Sequence, residues 1–290
     1  MATVLITGTS TGIGMATALA FGRAGHRVVA TMRNPTAAPG LAEAAAREKL
    51  SVTVLPMDVD ADASVRDGIA RAERAVGAID VLVNNAGIER MGSVEELPLS
   101  EFRAVMETNY FGVIRCTQAV LPAMRERRSG CIINVASVAG HVASAPMAAY
   151  AASKFALEAL SECLAQEVAS FNIRVAIVEP GIIDTQMSRH IGVASAPSPY
   201  AQQRRMAALF ATALQAPVPP SVVAEKILEI AVGDTPQLRH PVGPDAEPFL
   251  GWRRSMSDET WVALGALDDA AWYDRIEADF GMNARPHAQQ

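Results

Sequence analysis

The chain has 290 residues, half of them hydrophobic and 19% charged, enough apolar sequence to bury a large core without a disulfide or a metal to hold it. With 25 bases against 31 acids the net charge is −6, which argues against an electrostatically recruited partner such as nucleic acid. There is no basic leader and no 18-residue uncharged apolar window, so no membrane partner is expected and a cytoplasmic location follows.

From Thr3 onward, short β-branched runs alternate with longer helical stretches. VLIT predicts a first strand and the Ala-rich run after it a helix to Ala24; HRVVAT predicts a second strand, followed by a helix across Leu41 to Leu50. SVTVLPM is a third strand with a helix over Ala63 to Val76, and IDVLVN a fourth with a helical region from Leu99 through Arg128. CIINVAS is a fifth, followed by a helix from Ala149 to Ser170; IRVAIVEP is a sixth, and a helix from Ser221 to Val232 leads to a last strand near Leu238 to Val242. Continuous apolar strands between amphipathic helices are what a parallel sheet buried on both faces requires. The expected fold is therefore α/β: a doubly wound, Rossmann-like, seven-stranded parallel sheet with right-handed crossovers and helices on both faces.

Residues 1–245 read as a single catalytic domain, interrupted by a Ser-, Pro-, Gln- and Met-containing segment at about 182–219 with a short helical pattern around Gln202 to Leu214. A segment that long inside a compact domain points to a substrate lid. Residues 246–290 carry Trp252, Trp261 and Trp272 and read as an extension packed on the body in one or two helices. Cys116, Cys131 and Cys163 have no CxxC spacing and read as buried apolar residues in a reducing compartment. His26, His141, His190, His240 and His287 show no metal spacing, so no metal site is expected; His141 is placed to line the substrate cleft because it lies between Ser137 and Tyr150.

TGTSTGIG, residues 7 to 14, stands at the first strand's end and opens the first helix. Glycines at 8, 12 and 14 permit a tight turn, close approach of a pyrophosphate to bare backbone, and a helix N-terminus facing the anion, although the GxxxGxG spacing differs from the commoner GxGxxG. At the end of the second strand, where an acid would hold a ribose 2′-hydroxyl, stands Met32, followed by Arg33. A guanidinium can grip a 2′-phosphate bidentately, so NADP is the preferred cofactor and NAD the alternative. Asp58 follows the third strand, where a carboxylate could accept from the adenine amino group.

NNAG (84–87) and Ser137 end strands four and five at the carboxyl edge of the sheet, where ligands of open α/β folds collect. Tyr150 and Lys154 in YAASK lie one helical turn apart and share a face, and Asn109 comes from the intervening helical region. Hydride transfer to a carbonyl builds charge on its oxygen, which must gain a proton as that charge appears. A lysine beside the tyrosine stabilises the phenolate and makes the phenol usable in both directions, and Ser137 can donate a hydrogen bond to the same oxygen. Asn109 could hold a water against Lys154.

Together and in this order, TGTSTGIG, Asp58, NNAG, Asn109, Ser137, YAASK and PGIIDT at 180–185 resemble the short-chain dehydrogenase/reductase family from Thr3 to about Thr185. The resemblance implies a catalytic tetrad of Asn109, Ser137, Tyr150 and Lys154. It implies a cofactor site of Gly8, Ser10, Thr11, Gly12, Ile13, Gly14, Arg33, Asp58, Val59, Asn85, Ala86, Gly87, Tyr150, Lys154, Pro180, Gly181, Ile183 and Thr185, with Thr185 on the nicotinamide amide. It also implies a homodimer or homotetramer built through the helices at 149–170 and 110–128. The small and apolar residues of Ile88 to Gly92, His141 to Met147, and the stretch after Thr185 with Met187 and His190 suit a small-molecule lipophilic ketone, aldehyde or secondary alcohol. Two alternatives stand beside an NADP-dependent oxidoreductase: an NAD-dependent alcohol or steroid-type dehydrogenase, and a nucleotide-sensing protein without catalysis.

Overall fold

The computed structural model of the chain describes residues 1–193 and 198–285; His287 and the remaining parts of the expected lid and tail lie outside the described residues. Seven strands form one parallel sheet: β1 (Thr3–Thr7), β2 (Arg27–Met32), β3 (Val52–Pro56), β4 (Val81–Asn84), β5 (Gly130–Val135), β6 (Ile173–Pro180) and β7 (Arg239–Val242). Their order is β3-β2-β1-β4-β5-β6-β7, and every neighbouring pair is parallel. The order reverses between β1 and β4, and the crevice that opens there at the strand ends is where such sheets take ligands.

Alternate residues of one strand feed two separate cores, which is why the strands read as unbroken apolar runs. Val4, Ile6, Val28, Ala30, Val81 and Val83 face a layer containing Phe21, Leu41 and Ile227, supplied by α1 (Gly12–Arg23), α2 (Gly40–Arg47) and α9 (Pro220–Val232). Leu5, Val29, Leu82 and Ile132 face Ile69, Val120 and Leu164 from α3 (Asp62–Val76), α5 (Gly112–Arg127) and α6 (Ala148–Val168).

The helix expected from Leu99 through Arg128 is not regular. It runs as α4 (Leu99–Met106), a π-helical turn over Glu107–Phe111, and then α5. A π turn takes in one extra residue and re-aims the side chains it carries, here the buried Thr108 and Asn109. The segment expected to be a lid holds, among its described residues, α7 (Gln186–Ile191) as well as the anticipated helix, α8 (Ala201–Ala213). Past β7 the tail forms three helices rather than one or two: α10 (Ala246–Arg254), α11 (Asp258–Ala263) and α12 (Asp269–Phe280). Cys116 and Cys131 are buried, but Cys163 is exposed on the outer side of α6.

Candidate active site

At the end of β1 the chain turns through Gly8, whose φ is +69° and where a Cβ would sit 2.6 Å from the Ala86 Cα. A Cβ on Gly14 would meet the Gly8 carbonyl oxygen at 2.3 Å. Backbone packed this closely admits no side chain and leaves a bare cradle, which fits a pyrophosphate. α1 begins behind it with Thr11 making no side-chain cap and with no acid in the first turn, so its leading N–H groups remain available to an anion. The β4 turn is tied to this cradle: Asn85 Nδ2 donates to Thr7 O at 2.9 Å and Gly8 O at 3.0 Å, and Thr7 Oγ1 accepts from the backbone of Asn85 and Ala86.

One cavity of about 350 Å3 runs from the cradle across the sheet's carboxyl edge. Every cofactor-site residue named from the sequence lines it, as do Ser137, Tyr150 and Lys154. Met32 is buried at the end of β2 and Arg33 stands exposed at the rim, where its charge is felt by Asp60.

Ser137 follows β5, its Oγ accepting from Ala139 N at 3.1 Å and so capping the short turn Val138–Gly140. Tyr150 enters from α6, and burial pushes its phenol up to about 12, opposed by the hydrogen bond to Ser137 and reinforced by the nearby Glu89 carboxylate. Lys154, one turn later and 5% exposed, places Nζ 5.5 Å from the Tyr150 ring centre and donates to Val135 O at 2.9 Å. Burial lowers its ammonium to about 8, with Glu158 pulling the other way, so the positive charge beside the phenol is conditional rather than permanent. In the free protein the tyrosine is a protonated donor at neutral pH.

Asn109 does not line the cavity. The π turn aims it at the loop after β4, where Oδ1 accepts from Ile88 N at 2.8 Å and Nδ2 donates to Ile88 O at 2.9 Å and Ser153 Oγ at 3.0 Å. Both amide hydrogens are committed, so a water could be held by this side chain only through the remaining lone pair of Oδ1.

The other end of the cavity is apolar: Val142, Met147, Met187, Ile191, Met206, Leu209, Phe210 and, from the tail, Phe249. Phe249 had no sequence signal, because it sits past the last strand in a segment with no motif. His141, expected among these walls, instead turns toward Glu158 and Glu179, and His190 is exposed outside the cavity. Glu89 falls in the Ile88 to Gly92 stretch expected to wall the substrate but was given no role of its own: buried beside Tyr150, its carboxyl is raised to about 7 by desolvation.

A profile of the short chain dehydrogenase family matches residues 2–195. Oxidoreductase BOA17 of Botryotinia fuckeliana is 34% identical over 268 residues, covering 89% of this chain and 96% of that protein. Retinol dehydrogenase 8 of Bos taurus is 43% identical over 189 residues, 63% of this chain and 60% of the relative. Among solved structures, an actinorhodin polyketide ketoreductase variant with NADPH is 28% identical, with a TM-score of 0.74 over 84% of this chain and 97% of that one. On these matches, together with the parallel sheet and its glycine cradle, the chain belongs to the short chain dehydrogenase family and is an NAD(P)-dependent oxidoreductase.

Proposed function

We propose that the protein interconverts lipophilic ketones or aldehydes and their alcohols with NADP(H), with Tyr150 as general acid/base. One observation carries this reading: a single cavity joins the glycine cradle to an apolar chamber, with Ser137, Tyr150 and Lys154 between them.

The cradle of Gly8, Gly12 and Gly14 would hold the dinucleotide, whose reduced nicotinamide would supply the hydride needed at the carbonyl carbon. The chain's own residues do the rest. Ser137 Oγ donates to the substrate oxygen and fixes its position, and the Tyr150 hydroxyl delivers a proton as charge develops there. A phenol whose pKa burial keeps near 12 is fully loaded for that donation at neutral pH. In the oxidative direction it must first lose the proton, and the Lys154 ammonium favours the phenolate. Asn109 braces Ile88 in the chamber wall and, through Ser153, the helix turn that carries Tyr150.

The chamber offers Met, Ile, Leu, Val and Phe with few polar groups beyond the reacting ones, which suits an apolar substrate, and methionines let the wall adapt to shape. A retinol dehydrogenase and a polyketide ketoreductase among the similar proteins point the same way. NADP preference is supported by Arg33 at the rim and by the NADPH in that ketoreductase structure. Assembly as a homodimer or homotetramer is supported by two exposed phenylalanines, Phe111 just before α5 and Phe155 on α6.

The test is Tyr150→Phe. Turnover of a lipophilic ketone, followed by nicotinamide absorbance, should fall by at least about 10³ while NADPH binding stays within a few-fold. Turnover near the parent level would sink the proposal.

A further inference from the structure

His141 closes the turn that begins at Ser137, and its imidazole points behind the cavity rather than into it. Nε2 lies 2.8 Å from Glu179 Oε1 and 3.5 Å from Glu158 Oε2. Both carboxylates are deeply buried, with side-chain exposures of 6% for Glu158 and 2% for Glu179. Among the described residues, Glu158 Oε1, Glu179 Oε1 and His141 Nε2 itself make no directed hydrogen bond, so the His141 contacts are ion pairs by distance. Arg239 Nε donates to Glu158 Oε2 at 3.0 Å, and its Nη2 reaches Glu162 at 3.3 Å.

Two buried carboxylates this close stay ionised only if cations answer both. Arg239 answers Glu158. Among the described residues, His141 is the ion-pair partner of Glu179.

The three members stand directly behind three parts of the site. His141 is on the Ser137 turn, Glu158 is one helical turn past Lys154, and Glu179 precedes Pro180 and Gly181 at the cavity wall. We propose that His141, as an imidazolium, is a positioning residue: by bridging Glu158 and Glu179 it clamps the Ser137 turn, the Lys154 helix and the end of β6 together beneath the cleft. The role assigned to the clamp rests on the reading of Ser137 and Lys154 given above.

Interaction with Glu158 and then with Glu179 raises the imidazole to about 9, so it is charged throughout the neutral range. Its folded value lies above the unfolded one, near 6.5, so the clamp's stabilisation is complete below about that pH and is lost as pH rises through about 9. The other charged or titratable groups facing the cluster are Lys154 and Glu162 on α6, and Arg239 and His240 on β7. α10 also packs on the Val138–Gly140 turn, but its charges pair elsewhere, Glu247 with Arg254 and Arg253 with Asp258.

The experiment compares the full-length protein with His141→Gln and His141→Lys, following thermal unfolding against pH without substrate, and kcat and KM against pH with NADPH and a ketone. His141→Gln should lower Tm at pH 7, erase the stability that the parent loses near pH 9, and cut kcat about tenfold with KM for NADPH within about twofold. His141→Lys should restore most of kcat and move the alkaline loss to above about pH 10.4, following the lysine's higher intrinsic value. A parent-like stability curve and kcat in His141→Gln would overturn the clamp, as would a loss that Lys does not repair. The three donor atoms lie within 4.8 Å of one another, so activity lost in EDTA and regained with zinc would instead make this a metal centre and equally overturn it. Absence of turnover in the parent would remove the catalytic reading, and the stability curves would still decide whether the clamp exists.

Discussion

Arg33 owes its position to its neighbour: Met32 finishes β2 with a buried side chain, so the next residue is the first free to project over the cradle's rim. A charge-assisted bidentate contact contributes about 1.5–3 kcal/mol, which is roughly ten- to a hundredfold in affinity. NADPH should therefore bind at least about tenfold tighter than NADH, and Arg33→Ala should remove most of that margin while changing NADH affinity little. Fluorescence titration with both cofactors decides it; equal affinities in the parent would refute the assignment. Which residues could be found from the sequence follows the same local logic. Gly8 and Gly14 were readable because a tight turn constrains the chain itself, and Tyr150 and Lys154 because helical spacing puts both on one face. His141 was misplaced and Glu89 passed over because their environments are made by residues distant along the chain, Glu158 and Glu179 for the one and the Tyr150 helix for the other. Asn109 was named from its motif, but its side-chain partners and its place outside the cavity depend on a π turn that no residue pattern announces.

At the level of elements, the strands were readable nearly to the residue, since an apolar run bounded by turn residues has few alternatives. Helix irregularities were not. α7 went unanticipated because six residues are too few for an apolar period, although its start is well specified: Thr185 Oγ1 accepts from Ser188 N while Ser188 Oγ accepts from Thr185 N, a reciprocal cap. Its neighbour α8 is held to the tail by a buried cation. Arg205, 4% exposed, donates to Asp269 Oδ1 at 2.9 Å and Leu267 O at 2.8 Å, and its guanidinium carbon lies 5.9 Å from the Trp272 ring centre. Arg205→Met should cost on the order of 1 kcal/mol of stability, since Leu267 O loses its donor while Asp269 keeps Arg204, and should raise KM for the carbonyl substrate more than KM for NADPH. Denaturant unfolding with parallel kinetics checks this; equal changes in both KM values would separate α8 from the substrate chamber.

Across the whole molecule, the parallel, doubly wound sheet followed from the alternation of elements, whereas the strand order and the role of the tail did not. Nothing in residues 246–290 carries a motif, and the contribution of Phe249 to the chamber arises only when α10 folds back beside the β6 end. That docking is specific: half-buried Asp245, just ahead of α10, accepts from Ile182 N at 2.7 Å, and Trp261 Nε1 donates to Ala143 O at 3.3 Å on the loop before Tyr150. Trp252 and Trp272 share an apolar cluster with Met147, Ile191, Met206 and Leu209, all four of them chamber walls. All three tryptophans of the chain lie in this tail and none in the sheet or the helices that carry the cradle. The protein thus contains its own optical gauge of the chamber. Substrate entry should alter tryptophan emission with the cofactor site empty, a response that Arg205→Met should blunt. The spectrum should report the packing around Met147, Ile191, Met206 and Leu209 while staying nearly blind to the rest of the fold.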